Sequence, residues 1–109
     1  MSEPVLLKLP LFEEPDYRYH VVLENISYSL RFYYNLRQES WALDISYSDG
    51  EPIIKSVRVV PNFPMLADEP TPFSGYFALI PRPREQNETI INPYDLWKYY
   101  ELYYVYLPN

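Results

Sequence analysis

The chain has 109 residues, a formal net charge of −6 and a sequence pI of about 4.6. Hydrophobic residues make up 48% and aromatic residues 18% of it, which excludes a disordered, charge-rich segment. The acidic balance and the scattered basic residues argue against nucleic acid as a partner, because phosphate binding depends on clustered Lys and Arg. A chain of this length has room for one core, so we expect residues 1–109 to form a single domain.

The N-terminal stretch "MSEPVLLKLPLFEEP" has a short apolar run interrupted by Lys8, with no basic region before it and no small-residue cleavage site after it. This pattern fits neither a signal peptide nor a membrane span. We expect residues 1–15 to form an N-terminal arm or a first strand, with no insertion into a membrane. The chain contains no cysteine, which excludes a disulfide scaffold and a thiolate metal site.

Alternating apolar and polar residues predict four antiparallel strands between Tyr17 and Val60. The first runs from Tyr17 to Glu24, and the next two are "SYSLRFYYN" and "SWALDISYS", joined by the loop "NLRQE". An Asp-Gly turn in "SDGEP" then leads into "IIKSVRVV". The side chains expected to face the interior are those of Tyr19, Val21, Leu23, Tyr28, Leu30, Phe32, Tyr34, Trp41, Leu43, Ile45 and Tyr47.

Residues 61–73 contain four prolines. Proline lacks the amide donor and fixes φ, so we expect an ordered loop there and neither a strand nor a helix. The remaining sequence predicts a strand in "GYFALIPR", one short helical turn near 93–99 and a terminal strand within "YELYYVYL". The sequence therefore predicts an all-β fold of six to seven short strands, built as a small antiparallel barrel or sandwich.

Catalytic signatures are missing from the sequence. His20 is the only histidine, and a lone strand histidine is most simply an ordinary surface side chain. The chain has only two glycines, so it has neither a nucleophile elbow nor a glycine-rich phosphate loop. The acids Glu13, Glu14 and Asp16 lack the spacing of a calcium loop. We predict no catalytic residue, metal site or cofactor, and expect that the protein is not an enzyme.

Tyrosine is the one feature in clear excess, with thirteen residues. Tyrosine joins a large apolar ring to a hydroxyl group and is enriched at protein interfaces. The terminal strand is apolar on both faces, and such a strand must be covered on both. We therefore predict an interface with a partner protein. Its candidate residues are Tyr33, Phe63, Phe73, Tyr76, Trp97, Tyr100, Tyr103, Tyr104 and Tyr106.

The order "YSLRFYYNLRQESWALDISYSDGEPIIKSVRVVP", a Pro-rich loop, "SGYFALIPR" and a closing "LYYVYL" resembles the cyanophage baseplate plug domain family of small tailed-phage proteins. The resemblance covers residues 8–107. It includes the strand led by Trp41, the Asp49-Gly50 turn, the apolar strand ending near Val60, and Pro72 with Gly75.

The resemblance implies a structural component of a phage tail tip or baseplate without enzymatic activity. Such a subunit would be present in several copies in a symmetric assembly and would contact other tail or hub proteins. It would be assembled in the host cytoplasm and reside in the virion tail. The net acidity of the chain would favour basic patches on the adjoining tail proteins.

A carbohydrate-binding module is the first alternative, since exposed Trp and Tyr rings stack on sugars. It would use Trp41, or Trp97 with Tyr99 and Tyr100. However, Trp41 alternates in phase with the apolar residues of its strand, which places it in the core.

A small enzyme with an unrecognised site is the second alternative. It would depend on a carboxylate pair such as Asp44 and Glu101, which would need a cleft and a shifted pKa.

Overall fold

The computed structural model describes residues 3–60, 64–67, 71–82 and 96–107. Within them the chain forms seven strands and one short helix, and the strands form two antiparallel sheets. The elements are β1 (Val5–Leu9), β2 (Asp16–Leu23), β3 (Ile26–Asn35), β4 (Ser40–Tyr47), β5 (Pro52–Arg58), β6 (Tyr76–Pro81), α1 (Leu96–Tyr99) and β7 (Tyr100–Tyr106). The prediction of an all-β fold with six to seven short strands and at most one helical turn is confirmed, and the described strands form two sheets instead of one closed barrel.

The contacts between residues divide the chain into two compact units. Unit 1 comprises residues 1–13 and 60–109, and unit 2 comprises residues 14–59. The three-stranded sheet, in the order β1-β7-β6, belongs to unit 1, and the four-stranded sheet β2-β3-β4-β5 belongs to unit 2. The single domain expected over residues 1–109 stays a prediction.

Unit 2 is a meander in which each strand pairs with the next. Its first hairpin turns on two residues, Glu24 and Asn25, which have φ angles of 51° and 72°. Two successive left-handed residues match the twist of the flanking strands, as in a type I′ hairpin. Because side chains alternate between the faces, one face of the sheet is apolar. Its fully buried members are Leu23, Tyr28, Leu30, Phe32, Leu43 and Ile45.

A β-bulge interrupts the pairing of β4 with β5 between Leu43 and Ile45. Two residues of β5, Lys55 and Ser56, stand opposite Asp44 there. Ser56 has a φ of 60°, which is the left-handed region. Its amide donates a hydrogen bond of 2.8 Å to Oδ1 of Asp44. The Asp44 carboxylate therefore accepts the hydrogen bond that a backbone carbonyl of β4 would accept in a regular pairing.

Unit 1 is built around β7, which lies between β1 and β6. Leu102 is in register with Leu9 on β1 and with Leu79 on β6, and all three are buried. Beside them Phe77 and Tyr104 pack edge to face with centroids 5.2 Å apart, and Phe73 joins both at 5.7 and 5.9 Å. Such edge-to-face pairs stabilise a core beyond their buried area.

Gly75 allows the chain entering β6 to approach β7 closely. A Cβ atom at this position would lie 2.3 Å from the carbonyl oxygen of Val105. The Gly75 amide donates a buried hydrogen bond of 2.9 Å to the hydroxyl of Tyr104. Only glycine fits at this position, because any Cβ atom would clash with β7.

The Pro-rich segment predicted as a loop over 61–73 is described at 64–67 and 71–73. Those residues contain no named strand or helix. Met65 and Phe77 form an isolated bridge, with reciprocal backbone hydrogen bonds of 2.8 and 3.0 Å. Met65 and Leu66 are buried, so this part of the loop packs as ordered structure.

Candidate partner interface

The unit 1 sheet has a second face, opposite the buried cluster, which we call the outer face. Its side chains come from alternate positions of the three strands, and the pairing register brings them side by side. The outer face consists of Leu6 and Lys8 on β1, Tyr76, Ala78 and Ile80 on β6, and Glu101, Tyr103 and Val105 on β7.

Two apolar side chains of the outer face are open to solvent, whereas Val105, between Leu6 and Tyr76, is buried. Leu6 is 53% and Ile80 is 40% exposed. Tyr76 and Tyr103 are half-buried, so each ring presents part of its surface. Exposed apolar side chains on the same face as tyrosine rings are typical of a protein interface.

A hydrogen-bonded cluster of three side chains, Lys8, Glu101 and Tyr103, interrupts the apolar surface of this face. Lys8 donates a hydrogen bond of 3.1 Å to Oε2 of Glu101, and the hydroxyl of Tyr103 donates one of 2.9 Å to Oε1. The bond from Lys8, followed by that from Tyr103, lowers the pKa of the Glu101 carboxyl. The hydrogen bond that Tyr103 donates to Glu101 raises the pKa of the Tyr103 hydroxyl. The ring of Tyr103 is thereby held in one orientation on the outer face.

A depression of about 470 Å³ adjoins the outer face at the end of β7. Pro4, Tyr76, Tyr106 and Leu107 contribute to its lining. Leu107 is exposed, so the wall of the depression is apolar as well as accessible. A site of this kind can receive an apolar side chain of another protein.

Strand β1 adds an edge to the same surface. It pairs with β7 on one side, and within the described residues no strand pairs with its other side. Val5, Leu6 and Leu7 are all exposed. An open apolar edge is a template for pairing with another chain. The sequence prediction of the interface missed these three residues, although the unbroken run "VLL" beside Lys8 was a signal for them.

The structure brings three of the predicted interface residues together. Tyr76 and Tyr103 lie on the outer face, and Tyr106 lies in the lining of the adjoining depression. All three are half-buried, which leaves part of each ring accessible.

The other predicted residues of unit 1 are placed differently. Tyr104 is 0% and Phe73 is 5% exposed, because they pack against each other in the interior. Trp97 and Tyr100 are half-buried where α1 meets β7. Phe63 lies outside the described residues. The burial of Tyr104 and Phe73 is therefore explained by packing within this chain, and it needs no contact with another protein.

Tyr33 belongs to unit 2, on the polar face of its sheet. The guanidinium of Arg31 lies 4.5 Å from the centroid of its ring, a cation–π contact. The Tyr33 hydroxyl donates a hydrogen bond of 3.2 Å to Oδ1 of Asp44. Its side chain is thus part of the network that holds the β5 bulge.

The structure also places residues named for the two alternative functions, and Trp97, Tyr99 and Tyr100 are half-buried. Trp41 is 2% exposed, as its alternation predicted, and has no surface on which a sugar could stack. Asp44 is engaged by Tyr33 and Ser56 in unit 2. Glu101 is engaged by Lys8 and Tyr103 in unit 1.

Neither a metal centre nor a membrane-spanning helix is found in the described part of the chain. Its His, Asp and Glu side chains form no group of three or more that could hold a metal ion. No helix there has the length and apolar character needed to cross a bilayer.

Comparison with curated proteins gives no match. A family model does match: the one described as Cyanophage baseplate Pam3 plug gp18 aligns with residues 6–107. The aligned region includes every described strand except the first residue of β1, and it confirms the resemblance seen in the order of the sequence motifs. The chain therefore belongs to the cyanophage baseplate plug family.

Proposed function

We propose that this protein is a structural subunit of a phage tail baseplate and acts by contacts with neighbouring tail or hub proteins. Membership of the baseplate plug family supports the structural role. The subunit works by occupying its place in the virion tail, in several symmetric copies, and not by catalysis. Its assembly takes place in the host cytoplasm.

The observation that carries the proposed contacts is the outer face of unit 1. Leu6 and Ile80 are exposed there beside the half-buried rings of Tyr76 and Tyr103. Fully burying one aliphatic side chain of this size contributes about 1.5–3 kcal/mol. Interfaces concentrate their binding energy in a few such residues. Two or three of them seated in a partner would hold a subunit in place.

The ion pair on the same face contributes specificity. Lys8 and Glu101 lie 3.1 Å apart and remain partly exposed. Charged groups at the rim of an interface guide orientation and partner choice more than they add affinity. A partner that covers Leu6 and Ile80 must also match this pair of charges.

The experiment is co-expression of the full chain with the tail proteins encoded beside it, followed by size-exclusion chromatography with light scattering. The double variant Leu6→Ser, Ile80→Ser is expected to weaken association by at least roughly tenfold, since each lost apolar contact costs about 1 kcal/mol or more. Circular dichroism should show that it remains folded, because both side chains are already exposed.

The matched control is Val22→Ser, Ile26→Ser, which removes two apolar side chains of unit 2 that are 59% and 45% exposed. This variant should associate like the parent protein. If both double variants associate equally well, the outer face is not the interface. If the unmodified chain stays a monomer in the presence of all neighbouring tail proteins, the structural role itself is wrong.

A further inference from the structure

A second depression, of about 360 Å³, lies on the polar face of the unit 2 sheet. A row of charged residues crosses all four strands there. Arg18 on β2 is in register with Arg31 on β3, and Arg31 with Asp44 on β4. Lys55, in the bulge of β5, stands next to Asp44. All four residues line the depression.

The acidic side chains of this depression already have donors within the protein. Asp44 accepts hydrogen bonds from the amide of Ser56 at 2.8 Å and from the hydroxyl of Tyr33 at 3.2 Å. Asp49 accepts one from the amide of Glu51 at 2.9 Å, within its own turn. Asp44 also forms an ion pair with Arg31, with Nη1 and Oδ2 3.8 Å apart. Both carboxylates therefore have partners within the protein.

The cations divide into two kinds. Arg31, in the middle of the row, forms a two-point ion pair with Asp16, with distances of 3.0 and 2.7 Å. Arg18 and Lys55, at the two ends, form no ion pair within 4.0 Å with any described residue. Both are exposed. Among the described residues, these two positive charges thus have no ion-pair partner, and they stand on the two outermost strands of the sheet that carries the depression.

The spacing of these two charges defines the ligand. Neighbouring strands lie about 4.8 Å apart, so three strand intervals separate the backbones at Arg18 and Lys55 by about 14 Å. Side chains that stand perpendicular to the sheet keep their charged ends at about this separation, which is too far for one small anion to contact both. An extended peptide advances about 3.4 Å per residue, and residues four positions apart point to the same side at a separation of about 14 Å. Ser29 and Ser46 form the neighbouring row of the same depression, and the hydroxyl of the half-buried Ser46 can bond to the peptide backbone.

We propose that this depression binds an extended acidic segment of another protein, laid across the strands, with carboxylates at positions i and i+4 on Arg18 and Lys55. The occupant is a different protein and not a second copy of this chain. In the whole sequence no two Asp or Glu residues are four positions apart. The site lies in unit 2 and does not depend on the outer face of unit 1.

The test is an NMR titration of the ¹⁵N-labelled full chain with two capped peptides of equal composition, Glu-Ser-Gly-Ser-Glu and Glu-Glu-Ser-Gly-Ser. The first should cause saturable shifts at the amides of Ser29 and Ser46, and it should bind several-fold more tightly than the second. Binding should weaken as NaCl rises from 10 to 150 mM, because the screening length falls from about 30 to about 8 Å.

The double variant Arg18→Ser, Lys55→Ser should bind the first peptide roughly tenfold more weakly, since two exposed ion pairs are lost. The control Arg37→Ser, Lys98→Ser changes the net charge equally at two exposed positions outside the depression, and should bind like the parent. The amide spectrum shows whether each variant is folded. If the first variant does not fold, the comparison of the two peptides on the parent chain decides the question.

Equal binding of the two peptides, or no saturable shift at millimolar concentrations, would overturn the proposal. Equal weakening by the two double variants would mean that net charge alone attracts the peptide, and would also overturn it. Tighter binding of a ten-residue oligothymidylate than of the first peptide would identify a phosphate site instead. None of these results bears on the tail-protein association that tests the outer face.

Discussion

The substitution Gly75→Ala is expected to destabilise unit 1 by forcing β6 away from β7. An added Cβ would lie 2.3 Å from the carbonyl oxygen of Val105 and 2.8 Å from the hydroxyl of Tyr104. Since Cβ atoms essentially never come within 3.0 Å of such neighbours, one backbone segment must move by the difference of 0.7 Å. The contact is with the central strand of the sheet, so no flexible side chain can absorb the movement.

The loss of stability follows from three contributions. Overpacking of an interior site costs about 1–3 kcal/mol. The same movement strains the buried hydrogen bond from the Gly75 amide to Tyr104, which is worth about 1 kcal/mol. Alanine restricts the unfolded chain and returns about 0.4–1 kcal/mol. We expect a net loss of about 2–3 kcal/mol, which lowers the Tm of a domain of this size by roughly 10–20 °C.

Urea unfolding followed by intrinsic fluorescence measures this loss. Lys98→Ala is the control, because it changes an exposed residue of the same unit. Gly50→Ala separates the two roles of glycine, since φ is 100° there but no atom lies within 4 Å of the added Cβ. Stability of Gly75→Ala within about 0.5 kcal/mol of the parent chain would show that the close approach to β7 is not present in solution.

Three further substitutions test unit 2 by the same unfolding measurement. Asp44→Ala should lose about 0.5–1.5 kcal/mol because the exposed Ser56 amide loses its acceptor, and Asp44→Asn, which keeps an oxygen, should lose less; equal losses would contradict this role. Leu30→Ala, at a fully buried position, should lose about 2–5 kcal/mol, and a loss below 1 kcal/mol would place Leu30 outside the core. The hydrogen bond from Arg31 lowers the pKa of Asp16, so its stabilisation is present above the unfolded value of about 3.9 and is lost as pH falls through the lower folded value. Because Asp16 is half exposed, this contribution is below about 1 kcal/mol. Asp16→Asn should be less stable than the parent at pH 6, and the difference should shrink as the pH falls below about 3.9.

The strands of unit 2 could be predicted from the sequence because one face of its sheet is apolar and the other polar. Leu30 and Phe32 alternate with Ser29 and Arg31, and that alternation fixes both the type of element and its buried face. The bulge in β5 could not be predicted. It depends on a carboxylate of the neighbouring strand, and nothing within "IIKSVRVV" records that contact.

The candidate interface was predicted less completely than the fold. Tyr103 and Tyr104 are adjacent in the sequence, yet the first lies on the outer face and the second in the core. Alternation shows that they point in opposite directions, but the partners of β7 decide which direction is buried. Those partners are strands distant in sequence, and the one formed by Val5–Leu9 shows no alternation because it lies at an edge.

The sheet of unit 1 joins the two ends of the described chain, since Val5 pairs with Tyr106. All pairings of unit 2, in contrast, connect consecutive strands. During synthesis at about 5–20 residues per second, local hairpins can form seconds before β7 leaves the ribosome. Closing the long loop between β1 and β7 is then the last and entropically most costly step. A nascent chain that stops before Tyr100 would lack β7, so neither β1 nor β6 would have the strand with which it pairs.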